Sequence, residues 1–353
     1  MPVRLCLLAL LAAALAWGAL PVPGAGAASG LKFLGCLSGK LPPVKQPRTP
    51  RLGGCRLTQH AQLDAEGSGL NHLFGLTASP DGRSLYAVSS RQDAVLGFKA
   101  KPLGFQECFS GIRELGRRGS GACALFPHVG SEDATTGFNG VRFATVSPDG
   151  RSLYTVSNDG AIGIFSRNPG TGKLIYRSCL TGGKGPNTAS EIGACKTIPT
   201  ATRAYQGIDS GLGGIASLAV SPDGRFVYVA AGGDTAVATM VRADDSSLTF
   251  RDCISGEYGR GTGTGDPCTP IPTAVDVGFD SGMWLIKQLA ISRDGRSLYG
   301  LSRGNDAVDS FSRDPATGAL GFAGLSSLAF AAGKLYATAG GQSAVSSFSV
   351  AGG

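Results

Sequence analysis

Two basic residues, Arg142 and Lys287, each stand five residues ahead of the serine that opens a recurring motif, SPDGRSLY at Ser147 and SRDGRSLY at Ser292. Other copies carry Phe74, Ala216 and Ser326 at that position. Gln288 follows Lys287, and Trp284 stands where other copies have Asn71, Asn139, Gly213 and Ala323. A charge on an apolar strand is costly unless it is solvated or paired. Arg142 and Lys287 are therefore candidate anchors for an anionic ligand, with Gln288 as a hydrogen-bonding neighbour and Trp284 as a stacking ring. The plainer alternative is a water-filled channel with solvated charges and a tryptophan that shields a seam.

Other chemistries find less support. The histidines are His60, His72 and His128, and no G-x-S-x-G nucleophile elbow accompanies them. No Walker loop, H-E-x-x-H or EF-hand signature occurs. The glycine-rich run 259–265 lies between two cysteines and opens no helix. Asp93, Asp159, Asp234 and Asp306 recur once per copy. They are either a ring of carboxylates or Asx-turns opening the next strand, and their varying offset from the following alanine suits a turn better. No C-x-x-C pair is present, so no zinc site is expected. No catalytic residue, metal or cofactor is named.

The elements that must position these residues come from the repeat. The motif recurs at Ser79, Ser147, Ser221 and Ser292, at intervals of 68, 74 and 71 residues, with a degenerate fifth copy, AAGKLY, at Ala331. A small apolar run precedes each copy, and LYAVSS-like and DAVLGF-like runs follow it. In four copies a turn and a further strand come next, as in PLGFQEC and KLIYRSC. Pro-Asp-Gly and Asn-Pro-Gly segments supply the tight turns of an antiparallel meander. A four-stranded sheet that is apolar on both faces must stack on its neighbours, and radial repetition is one solution. Tyr86, Tyr154, Tyr228, Tyr299 and Tyr336 recur in the second strand, and Phe98, Phe165, Phe311 and Phe348 in the third, as packing residues between blades. Each SPDGR copy is expected to pair its own Asp with its own Arg, Asp81 with Arg83 and Asp149 with Arg151.

The chain ends complement each other. GLKFLGCLSG near the N-terminus matches the fourth strands KLIYRSCLTG and SLTFRDCISG, and the chain stops after the third strand of the fifth copy. Leu31 to Cys36 would complete the last blade, so the sequence predicts a single five-bladed β-propeller over residues 31–350 with velcro closure. Residues 1–27 read as a secretory signal peptide, with Arg4, the apolar run Leu5 to Leu20 and the small-residue site Ala25-Gly26-Ala27. The mature protein would then be secreted or extracytoplasmic, with no membrane span.

Eight cysteines remain in that oxidising compartment. Position in the repeat pairs Cys36 with Cys55, Cys108 with Cys123, Cys179 with Cys195 and Cys253 with Cys268. Loops this short give about 3 kcal/mol each. Among the 353 residues, 55 glycines and only 16% charged residues exclude a helical bundle, while 42% hydrophobic content excludes charge-driven disorder. The net charge is +7, with Lys40, Lys45, Arg48 and Arg51 in the first cysteine loop and Arg113, Arg117 and Arg118 in the second. Basic loops on an exported protein suit anionic glycans. No interleaved aromatic platform accompanies them, so nucleic acid is not expected as a partner.

The motif SPDGxxLY, followed by an Asn/Asp-Ala-Val strand and F-S-R-N/D-P-x-T-G-x-L, resembles the YVTN-type β-propeller repeat. The Gly-Cys-Leu-Ser-Gly cysteine loops are similar to those of secreted bacterial lactonase-family propellers. The resemblance implies a propeller and, as an activity, hydrolysis of sugar-acid lactones. The residues themselves favour a non-catalytic binding module, a monomer with an extracellular ligand or protein as partner. An anionic glycan or small molecule at the channel mouth would bind on the face that carries the cysteine loops.

Overall fold

The structure is a computed structural model. It describes residues 35–40, 51–52, 55–62, 68–112, 123–130, 136–184, 189–190, 194–204, 207–258, 268–276, 278–326, 328–331, 334–339 and 344–349. These form six sheets and no α-helix. The expected signal peptide, Leu31 to Leu34 of the closing strand and most of the two basic cysteine loops lie outside the described residues.

Three sheets follow one plan. The first runs Leu73–Ala78, Ser84–Ser89, Ala94–Ala100, Leu103–Ile112 and Ala124–Gly130, each strand beside its predecessor. The second runs Phe143–Val146, Ser152–Val156, Ala161–Arg167, Leu174–Gly183 and Lys196–Thr202, and the third runs Ile215–Val220, Phe226–Ala231, Ala236–Arg242, Leu248–Glu257 and Thr269–Val275. The fourth has four strands, Ile286–Ile291, Ser297–Ser302, Ala307–Arg313 and Leu320–Ser326. The last has three, Leu328–Ala331, Lys334–Ala339 and Ala344–Ser349. The initial strands of the first four sheets lie beside one another in chain order.

The four-stranded unit read from the sequence is therefore one strand short in three sheets. The fourth strand is ten residues long with its cysteine in the middle, and the chain returns through the cystine to add an outer strand parallel to it. All four cystines pair as expected: Cys36–Cys55, Cys108–Cys123, Cys179–Cys195 and Cys253–Cys268. Leu37–Lys40 pairs in parallel with Cys55–Gln62 in the same way, with Leu37 opposite Arg56 just as Leu180 lies opposite Lys196. Leu37–Lys40 thus repeats the end of a fourth strand. Its hydrogen-bonded partner is Cys55–Gln62, and it is not paired with the last sheet. Four cystines are bonds of an oxidising, extracytoplasmic setting.

The outer strands have two physical roles. Each buries one apolar residue ahead of a proline, Phe126, Ile198 or Ile271, in the seam to the next sheet. Phe126 stacks on Phe138 with ring centroids 3.7 Å apart. Pro127, Pro199 and Pro272 remove backbone donors from the free edge, which blocks edge-to-edge pairing. The cystine itself rests on a glycine of the loop entering the same sheet. A Cβ on Gly137, whose φ is +86°, would overlap Cys195 Sγ, so only glycine fits.

The cores lie between sheets rather than within one. Tyr86, Tyr154 and Tyr228 are fully buried, as are Phe165 and Phe311. Three seams also carry a buried polar latch. Arg167, at the end of a third strand, donates from Nε to the Tyr86 hydroxyl of the preceding sheet at 2.6 Å and from Nη2 to Asp81 at 3.1 Å. Tyr86 in turn donates to the Gly172 carbonyl at 2.6 Å. Arg242 repeats this with Tyr154 and Asp149, and Arg313 with Tyr228 and Asp223. The expected pairing of each Asp with the Arg two residues on is thereby corrected. Asp81 and Asp149 take only the backbone N–H of Arg83 and Arg151 and spend their charge across the seam. Asp223 keeps Arg225 as a weaker second partner at 3.8 Å.

Candidate functional site

The position five residues ahead of the motif serine is a β-bulge. The ladder passes from Leu73 to Gly75, from Ile215 to Ser217 and from Ile286 to Gln288, so Phe74, Ala216 and Lys287 are left without a partner residue. A bulge turns the extra residue out of the ladder and re-aims its side chain. In the second sheet the strand begins one residue later, and Arg142 bonds through its N–H to the Val156 carbonyl.

These re-aimed side chains meet in a cavity of about 730 Å³ bounded by the first four sheets. Arg142, Lys287 and Gln288, three of the candidates read from the sequence, line it. Arg303 joins them from the turn after the second strand of the fourth sheet. Comparing copies could have found it, since Ser90, Asn158 and Gly232 are uncharged at that place. Arg142 lies over the Phe74 ring, 5.7 Å from its centroid. Asn139 and Asn158 contribute amides. Ser217 lines the wall with a buried hydroxyl that has no hydrogen-bond partner.

The electrostatics are one-sided. No Asp, Glu or His among the described residues lines the cavity, and none of the ion pairs they form involves Arg142, Lys287 or Arg303. Partial burial, then the guanidinium groups of Arg142 and Arg303, pull the Lys287 ammonium below the usual lysine range. Like charges held together in a half-dry space favour an anion that neutralises them.

Trp284 is not in the cavity wall. Its indole packs against Phe279, ring centroids 4.6 Å apart, and lies on Gly304. His72 and His128 lie apart from the cavity lining. His72 sits at a turn with its Nδ1 3.4 Å from Ser90 Oγ, His128 is exposed on an outer strand, and His60 falls in Cys55–Gln62.

Of the recurring aspartates, Asp93, Asp159 and Asp234 do more than open a local turn. Asp159 accepts an N–H from Gly137 at 2.6 Å, and Asp234 accepts from Asp209, Gly211 and Gly213. Asp93 accepts from Gly140 of the next sheet at 2.7 Å. They fasten the loops that deliver the inner strands. Burial pushes Asp159 and Asp234 up to about 6. No group of three or more metal-ligating side chains occurs among the described residues. No helix among them is long and apolar enough to cross a membrane.

No family model and no curated protein matches the chain. Among solved structures, it is similar to a periplasmic gluconolactonase of Pseudomonas aeruginosa, at 20% identity over 71% of this chain and 52% of that one, with a TM-score of 0.44. It is similar to a Lactobacillus plantarum protein at 18% identity over 71% and 54%, TM-score 0.45. A functionally unknown protein of Desulfotomaculum acetoxidans matches at 13% identity over 79% and 68%, TM-score 0.44. The chain thus spans about half the length of the first two.

Proposed function

We propose that residues 31–350 form a five-bladed β-propeller, exported and closed by its N-terminal segment, that binds a small anionic ligand in the cavity at the inner strands. The observation that carries this reading is the convergence of Arg142, Lys287 and Arg303 without a carboxylate among the described lining residues. A site built this way is equipped to hold negative charge, because the charged groups of its described wall are Arg142, Lys287 and Arg303. The sheets supply what a rigid binding site needs, since Lys287 stands on a bulge, Arg303 in a turn and Arg142 at the entry to an inner strand, tied by its N–H to Val156.

Calorimetry with gluconate tests the reading, the native protein being compared with variants on each face. Lys287→Ala or Arg142→Ala is expected to weaken binding more than tenfold, about 1.4 kcal/mol. Arg83→Ala and Arg151→Ala, at the opposite turns, are expected to leave it within about threefold. Equal effects from both pairs would place the ligand elsewhere. The second reading, hydrolysis of a sugar-acid lactone, shares this site because its product is a carboxylate. Turnover of glucono-δ-lactone that is lost in Arg142→Ala would favour it over binding alone.

A further inference from the structure

In the fourth sheet Leu285 adopts φ +53°, the left-handed conformation that Gly140 and Gly214 take at +61° in the second and third sheets and His72 at +58° in the first. A branched aliphatic residue in the left-handed region is strained, and such strain collects where surrounding structure holds a site in place. Beside it, the Trp284 carbonyl accepts the Gly304 N–H at 3.0 Å, and the Leu285 carbonyl accepts the Arg303 N–H at 3.3 Å. Asn305 ties the two aromatics together: its Oδ1 accepts the Trp284 backbone N–H at 2.9 Å and its Nδ2 donates to the Phe279 carbonyl. Any side chain at Gly304 would strike the indole, because a Cβ there would overlap the ring. Phe279 is nevertheless 45% exposed and Trp284 is not fully covered. An aromatic pair fixed this firmly and left open to water is a platform.

The platform is close to the cavity along the chain. Trp284 is three residues from Lys287, a reach of at most about 11 Å. Arg303, which lines the cavity, is next to Gly304, on which the indole lies. We propose that the ligand is an acidic oligosaccharide. One ring would lie against the Phe279–Trp284 pair, and the carboxylate of a neighbouring sugar would enter between Arg142, Lys287 and Arg303. This rests on the anion-binding reading above and extends it.

Three features select this class. Guanidinium groups match a planar carboxylate with paired N–H donors. The cavity also presents amides that donate and accept, Asn139, Asn158 and Gln288. Such two-way groups suit sugar hydroxyls. The two rings, inclined at 60° to each other, supply an apolar corner against which the C–H face of a pyranose ring can rest.

The experiment uses trigalacturonate, galacturonate, maltotriose and inorganic phosphate as probes. Trp284 and Trp17 are the tryptophans of the chain, so in protein lacking residues 1–27 the emission reports Trp284 alone. Trigalacturonate is expected to bind at least tenfold more tightly than galacturonate and to change that emission, with no binding of maltotriose. Trp284→Ala and Phe279→Ala are each expected to bring trigalacturonate to the level of galacturonate, and Lys287→Ala to weaken both. Phosphate binding as tightly as trigalacturonate, or chain-length dependence that survives both aromatic substitutions, would overturn the oligosaccharide and leave the anion site standing. If no acidic probe binds, both readings fail.

Discussion

At the scale of single residues, the least comfortable group in the molecule is Asp309. It is fully buried on the third strand of the fourth sheet, where the sister sheets carry Leu96, Gly163 and Ala238. Ser302 donates to its Oδ2 at 2.5 Å, and its Oδ1 has no partner. Burial pushes this carboxyl up to about 7 from 3.8. Between about pH 4 and 7 the folded chain therefore holds a proton that the unfolded chain has released, and stability falls as pH rises through that window. Asp81 works in the opposite sense. The Ser79 hydroxyl, the Arg83 N–H and Arg167 lower it to about 2, so its contribution is lost only as pH falls below about 4. Asp309→Asn copies the protonated form. It is expected to be more stable than the native protein by about 1 kcal/mol or more at pH 8 and no more stable at pH 4, measured by urea unfolding. An unchanged difference across that range would mean that Asp309 does not titrate there. The alignment of copies that exposed Arg142 and Lys287 would have exposed Asp309 and Arg303 as well, for each is the charged member of an otherwise uncharged column. What the column could not reveal is the destination of each charge, since Asp309 is buried against Ser302 and Arg303 lines the cavity.

At the scale of elements, the motifs were legible and their partners were not. SPDGR and F-S-R stand out in the sequence, yet a repeat read by itself offers Asp81 only its own neighbour Arg83. The actual partner, Arg167, lies 86 residues on and is brought there by stacking one sheet on the next. The two assignments differ sharply in energy. Arg167 is fully buried against a partly exposed Asp81, whereas Arg83 is exposed. Arg167→Ala is expected to cost about 3 kcal/mol by stranding the Tyr86 hydroxyl and Asp81, and Arg83→Ala less than about 0.5 kcal/mol. Chemical denaturation of the two variants checks the order, and a reversed order would restore the local pairing. The outer strands escaped the sequence reading for a related reason. Prolines in KTIPTAT and TPIPTAV argue against a central strand, but an edge strand tolerates them when a cystine, not a full ladder, holds it.

At the scale of the whole molecule, the latch gives a way to examine how the last sheet sits. Three successive seams each have an Asp and Tyr on one sheet and an Arg on the next. The fourth sheet carries the first half of a fourth latch. Asp294 takes the Ser292 hydroxyl at 2.5 Å and the Arg296 N–H at 3.1 Å, the same arrangement that prepares Asp81. The sequence of the last copy, however, reads Phe348-Ser349-Val350 where the fourth reads Phe311-Ser312-Arg313. If the last sheet docks on the fourth as the fourth docks on the third, Val350→Arg supplies the missing half. A charge-assisted pair beside a tyrosine hydroxyl contributes about 1–2 kcal/mol, which for a chain of this size raises Tm by about 2–4 °C. Asp294→Asn in the same background is expected to remove the gain, because it takes away the charge that the introduced guanidinium would meet. A Tm unmoved by Val350→Arg, or a gain that survives Asp294→Asn, would mean that the last sheet meets the fourth in another register and would count against the proposed five-bladed ring.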